Sequence, residues 1–283
     1  MVNPTVSDIM HVLDSIAPQA LAEGWDNVGL QVGDPGRKVK NIWIALDPTY
    51  PVVDAACRQK VDFLITHHPL IFKPLQSINF RSPVGSIIDL AIRHHLAIFA
   101  AHTNLDSASG GINDILADRI GLSDLKPLVE FQPGNQIQHD VYPPVASGQG
   151  AGIGRVGLLE TALDLQSLAG QIKHKLNLRY LKLSGDPTLP VKKVAICSGS
   201  GASLLADFFA SGAQVFIGGD FRYHDARDVE ASNLGLIDIG HFASEHLVVD
   251  VLAEKLAGIL ADSKINSIVK ACDIEKDPFK VLL

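Results

Sequence analysis

From Ser7 to Ile16 the apolar positions Ile9, Val12, Leu13 and Ile16 recur at helical spacing, with Thr5 or Ser7 as a cap and Pro18 as a stop, so an amphipathic helix is expected. The period then changes. Three short runs, NIWIALD (41–47), DFLITHH (62–68) and LAIFAAHTNLD (96–106), are apolar on both faces, as strands of a covered parallel sheet are. Helical stretches lie between them. The same plan returns in KVAICSG (193–199), AQVFIGGD (213–220) and GLIDIGHFASE (235–245), connected by SLLADFFASG and the segment around 225–232. The fold class expected is α/β, with two similar halves related by internal duplication and a metal cleft between them.

Residues 127–155 are rich in Pro, Gly and Gln, which suits a linker or exposed loop. The expected organisation is a first α/β half over 1–126, a linker and variable region over 127–192, and a second α/β half over 193–283. A helix is expected over 163–176, and EHLVVDVLAEKLAGIL (245–260) carries a strong amphipathic helical pattern.

A chain of 283 residues is long for one compact core, which favours two domains or one embellished core. With 31 acidic against 24 basic residues the formal charge is -7, which offers no footprint for a phosphate backbone and argues against a nucleic-acid partner. Cys57, Cys197 and Cys272 show no paired spacing, so a disulfide scaffold is not expected and a reducing compartment fits. The N-terminus lacks a basic region followed by an apolar run, and no stretch reaches the roughly 18 apolar residues that span a bilayer. The expectation is a soluble cytoplasmic protein with no membrane partner.

Each strand of both halves ends in small or polar residues, and in open α/β sheets ligands bind at the carboxyl ends of strands. Strands that simply stop in turn-forming residues are the ordinary alternative. His67 and His68 precede Pro69; because adjacent strand residues face opposite ways, the pair suits two metals, or one metal with a kinked backbone. HTNLD (102–106) presents His102 and Asp106 after the next strand, and Asp106 has two oxygens with which to bridge two cations; a cap or Asx turn is its alternative. GHFASEH (240–246) places His241 and Glu245 on one helical face, as a nitrogen and an oxygen ligand or as a surface pair in a first turn. Three strand ends thus supply imidazoles and carboxylates without a thiolate, a set that favours two divalent metal ions (zinc, iron, manganese or cobalt) over a structural zinc. Two such ions about 3.5–4 Å apart would activate water for hydrolysis.

The glycine-rich stretches CSGSGAS (197–203) and GQGAGIGRVG (148–157) lack the Lys-Ser or Lys-Thr of a phosphate loop. CSGSGAS joins a strand to a helix, however, and its backbone N–H groups could receive an anionic group.

The segments WDNVGLQVG, ALDPT, ITHHPLIF, AHTNLD, GDFRYHD and DIGHFASE, in that order from Trp25 to Glu245, resemble the signature of the dinuclear-metal proteins named GTP cyclohydrolase I type 2 homologs, also called the NGG-interacting-factor-like family. Only 127–192 stands apart. The resemblance implies metal ligands at His67, His68, Asp106, His241 and Glu245, with Asp106 bridging, and places His102 in the cleft as a catalytic proton shuttle or as a partner behind the ligands, a buried histidine satisfied by its neighbours being the alternative. Trp25, Asp26 and Asn27 belong to the family pattern and would form a cleft wall or a subunit contact, with a plain turn as the alternative, while the duplicated strand plan would aim Asp47, Asp220 and His224 at the same cleft. The resemblance also implies a metal-dependent hydrolase acting on a small molecule, with a nucleotide as the named precedent, and a homohexameric ring. A metal-binding regulatory or scaffold protein is the alternative, which lack of turnover would distinguish.

Overall fold

The structure, a computed structural model, describes residues 3–131 and 150–282. Its first helix, Val6–Ile16, starts from Thr5, whose hydroxyl accepts the Asp8 amide while the Asp8 carboxylate accepts the Thr5 amide at 2.7 Å. This reciprocal box satisfies two donors that every helix start leaves open. Val6, Ile9, Met10, Leu13 and Ile16 form its buried face.

The strands are β1 (Gly29–Val32), β2 (Asn41–Ala45), β3 (Phe63–Thr66), β4 (Ala97–Ala100), β5 (Leu122–Glu130), β6 (Gly152–Asp164), β7 (Lys182–Ser184), β8 (Pro190–Ser200), β9 (Val215–Gly219), β10 (Gly235–Asp238) and β11 (Ile268–Ala271). They form two sheets, one in each of two compact units.

The first unit comprises residues up to Leu105 together with Val248–Pro278. Its sheet runs β1-β4-β3-β2-β11, with β4, β3, β2 and β11 parallel and β1 antiparallel at the edge. Every residue of β3 and β4 is buried, as their unbroken apolar runs require. Helices Tyr50–Arg58 and Pro83–His94 pack Val52, Val53, Ala56, Ile88 and Ala91 against Trp43, Leu64 and Ile98. Burying an aliphatic side chain of this kind contributes about 1.5–3 kcal/mol.

One expected boundary is corrected here. Residues 193–283 do not form one half, because the chain after Leu247 returns to the first unit: helix Leu247–Asp262 buries Val248, Val249, Leu252, Leu256 and Leu260, and β11 pairs in parallel with β2. The open edge of β2 demands a backbone partner, and a helix followed by a strand is the right length of crossover to supply one in parallel.

The second unit contains Asp106 to Phe131 and residues 150–247. Its sheet runs β5-β6-β8-β9-β10-β7, with β8, β9 and β10 parallel and β5, β6 and β7 antiparallel to their neighbours. Residues 127–192 are therefore not a linker throughout: the 13-residue β6, helix Leu165–Lys175 and β7 all belong to this unit, while the part of the expected loop over 132–149 lies outside the described residues. The glycines that suggested a loop serve close strand packing instead. A Cβ on Gly152 would fall 2.1 Å from the Val129 carbonyl, and Gly154 holds φ +64 beside Leu128. Arg155 of the same strand is buried, paired with Asp114 and donating to the carbonyls of Ala108, Gly152 and Gly154.

The duplication is visible in the wiring. In each unit a strand (β1 or β7) precedes three parallel strands (β2-β3-β4 or β8-β9-β10) and pairs antiparallel with the last of them. No helix among the described residues is long and apolar enough to cross a membrane.

Candidate functional site

In the first unit the chain leaves the sheet at Ala45, Thr66 and Ala100. The His67 and His68 amides still donate to the carbonyls of Ala45 and Leu46, and the Thr66 hydroxyl donates to the His68 carbonyl at 2.7 Å, turning the chain ahead of Pro69. Strand alternation no longer governs this segment, so the two rings converge, with centroids 5.0 Å apart. His102, just past β4, joins them at 5.1 Å from His67 and 5.5 Å from His68. One ring nitrogen from each of the three lies within 4.8 Å of the others, a grouping able to hold a metal ion.

Each of these rings is held through Nδ1. The partners are the Ala101 carbonyl for His67 (2.9 Å), the Asp47 carboxylate for His68 (2.8 Å) and the Asp26 carboxylate for His102 (2.9 Å). Carbonyl and ionised carboxylate oxygens only accept, so Nδ1 carries the proton and Nε2 is the nitrogen that could serve a metal ion or a proton. Asp26 also accepts from the Thr103 amide and hydroxyl. Burial pushes its carboxyl up, but the bonds from His102 and Thr103 outweigh burial and hold it at about 2. Trp25 and Phe72, both about half exposed, set their rings edge-on to His102 at 6.2 and 6.3 Å. Asn27 ties this wall together by donating to the Ile71 carbonyl.

In the second unit, Gly240 precedes the short helix His241–Glu245, which puts His241 Nε2 2.9 Å from the buried Glu245 carboxylate. The Asp220 carboxylate accepts from His241 Nδ1 at 2.7 Å. Gly199 is a cradle for this pair: it stands at φ +62, and a Cβ there would fall 2.1 Å from Glu245 Oε1. Ser244 links the two elements, accepting the Gly199 amide and donating to the His241 carbonyl. Asp106 is brought to the same strand end, where its carboxylate accepts from the Ser198 hydroxyl at 3.4 Å and its carbonyl accepts from Asn113.

Three backbone donors of CSGSGAS are already taken. The Ser198 amide donates to Asn113, the Gly199 amide to Ser244 and the Gly201 amide to the Gly219 carbonyl, so these donors are committed to the fold. His224 departs from expectation: it sits exposed in helix Tyr223–Ala231 against Tyr223, outside the metal-capable groupings found among the described residues. Sequence reasoning did not identify Asp26 as the partner of His102, nor Ser198, Gly199 and Ser244 as supports of the second group. The buried acid in WDNVG was the available signal for the first; contacts made across the fold left none for the others.

The donor set fits a divalent metal. It offers imidazole nitrogens with the far ring atom already fixed, and carboxylate oxygens, the mixture suited to zinc, manganese, iron or cobalt. The three cysteines take no part, being buried and free, with burial pushing the Cys57 thiol up to about 11.

A Clostridium perfringens protein named GTP cyclohydrolase 1 type 2 homolog is 36% identical over 277 residues, which span 98% of this chain and 99% of its own length. A Clostridium acetobutylicum protein of the same name is 33% identical over 97% of this chain and 98% of its own. Among solved structures, a Bacillus cereus protein related to NIF3 superimposes with a TM-score of 0.88 at 26% identity over the whole of both chains. A Staphylococcus aureus hypothetical protein also reaches 0.88, at 31% identity over 99% of this chain and 100% of its own. The sequence profile of Duf34/NIF3 (NGG1p interacting factor 3) matches residues 4–278, and this chain is a member of that family.

Proposed function

We propose that this protein is a dinuclear metal-binding protein in which His67, His68, Asp106, His241 and Glu245 hold two divalent ions, and that it works as a metal-dependent hydrolase on a small molecule. The observation that carries the reading is the state of the imidazoles: His67, His68, His102 and His241 all have Nδ1 engaged by an oxygen. That arrangement orients a ring for ligation and raises the basicity of its other nitrogen. When bound, a pair of divalent ions supplies Lewis acidity and activates water. The chain's own part is to fix the ligands and to move protons: His102, braced by Asp26, offers a ring nitrogen as proton acceptor and donor. A nucleotide substrate is the precedent in the relatives' name. A homohexameric ring belongs to the same proposal on the family resemblance, and cytoplasmic residence on the unpaired cysteines.

A metal-binding regulatory or scaffold role is the second reading. It is favoured by the exposed apolar residues Phe72, Leu75, Ile78 and Phe80 within one segment.

Elemental analysis of protein purified without added metal tests the main reading. About two equivalents per chain are expected for the native sequence, lost in His67→Ala and Glu245→Ala. Substoichiometric metal that neither substitution changes would sink it. Two equivalents without turnover on nucleotides or other hydrolysable compounds would put the regulatory reading ahead.

A further inference from the structure

β2 ends at Ala45, and the amides of Leu46 and Asp47 lie beyond its ladder. Both are taken by one carboxylate from the far end of the sequence: Glu275 Oε2 accepts from the Leu46 amide and Oε1 from the Asp47 amide, each at 2.8 Å. The segment arrives there by continuing β11, whose pairing with β2 extends through the Cys272 amide to the Ile44 carbonyl. The Leu46 carbonyl accepts from the His68 amide and the Asp47 carboxylate from His68 Nδ1, so the two residues clamped by Glu275 are the two that hold His68.

We infer that Glu275 is a positioning residue for His68, acting through Asp47. The Asp47 side chain is 39% exposed, and a solvent-exposed carboxylate–imidazole pair does not by itself fix a ring. What makes the pair directional is a backbone that cannot swing. Two charge-assisted bonds on consecutive amides set the path of residues 46–47 and so the direction in which the Asp47 carboxylate leaves the chain. The C-terminal segment thereby becomes part of the ligand's support, although it lies more than two hundred residues from the histidine in sequence. The purpose of the device rests on the proposed metal reading; its geometry does not.

The test uses the full-length chain and two readouts. Nitrogen-15 NMR of the imidazole rings, without metal and at alkaline pH, reports the His68 tautomer. Native protein should hold the Nδ1–H form, Glu275→Ala should release a mixture, Glu275→Gln should lie between, and Glu275→Ala should change nothing further in an Asp47→Ala background. Zinc affinity by chelator competition should fall by roughly 10–100-fold in Glu275→Ala, the usual cost of losing a partner behind a ligand. An unchanged His68 tautomer in Glu275→Ala, or an equal effect with and without Asp47, overturns the inference. If native protein binds no zinc, the metal reading fails separately, and the ring tautomer still decides the role of Glu275.

Discussion

The stretches β1 to β4 and β7 to β10 share one wiring but support a histidine in different places. Thr66 of β3 and Gly218 of β9 are equivalent, each pairing with the last residue of the next parallel strand, Ala100 or Asp238. One and two residues further on, His67 and His68 therefore stand where Gly219 and Asp220 stand. In the first unit the middle strand delivers imidazoles and receives its carboxylate support from the neighbouring strand, through Asp47. In the second unit the middle strand delivers the support, Asp220, and the imidazole is His241, in the short helix after the next strand. The position matching His67 must then be empty: a Cβ on Gly219 would fall 2.6 Å from the His241 amide nitrogen. His-x-x-x-acid recurs after the last strand of both sets, as His102 to Asp106 and His241 to Glu245, each running into a five-residue helix. Duplication thus supplied equivalent strand ends, and local substitution decided which would carry a ligand and which its support.

That division of roles can be broken at several points. Alanine at His68 should abolish tight metal binding, an effect larger than the roughly 10–100-fold expected for a supporting carboxylate; calorimetric zinc titration of His68→Ala beside Asp47→Ala measures both, and equal losses would erase the distinction. Gly199→Ala fills the cradle of Glu245. Its left-handed backbone and overpacking together predict a loss of about 2–5 kcal/mol in urea unfolding, and a wild-type midpoint would show that Glu245 moves aside freely.

Asp26 gives a pH signature. Its folded pKa of about 2 lies below the ordinary value, so its contribution is fully present above the unfolded pKa and is lost as pH falls through the folded one. Asp26→Asn should cost about 1–2 kcal/mol at neutral pH, with the gap from native protein closing as pH approaches 2. A gap that stays constant with pH would mean that the carboxylate charge does not matter. Least affected in stability should be Asp220→Ala, whose pair with His241 is exposed, at under about 0.5 kcal/mol by thermal unfolding. Its consequence should appear in metal affinity instead, and a large drop in stability would place Asp220 in a structural role like that of Asp26.

Much of this was legible in the residues. Unbroken apolar runs located the six parallel-sheet strands of the repeated plan, running past the ends of β4 and β10 into the polar segments that follow, because a strand buried on both faces is apolar throughout. His241 and Glu245 were legible as one helical face because their spacing is local. The region over 127–192 was misread because glycine has two uses, permitting loops and permitting close contact, and only the packing of Gly152 against Val129 shows which applies.

By itself the sequence determined the six strands of the repeated plan, their duplicated order and the chemical types at the strand ends, since these depend on short-range periodicity and on what each side chain can donate or accept. Tertiary structure alone decided which residue braces which. Asp26 meets His102 across 76 positions, Ser198 meets Asp106 across 92, and Glu275 meets Leu46 across 229. Hydrogen bonds of that kind leave no periodic trace, because their geometry exists only after the strands have paired and the crossover from Leu247 has returned β11 to the first sheet.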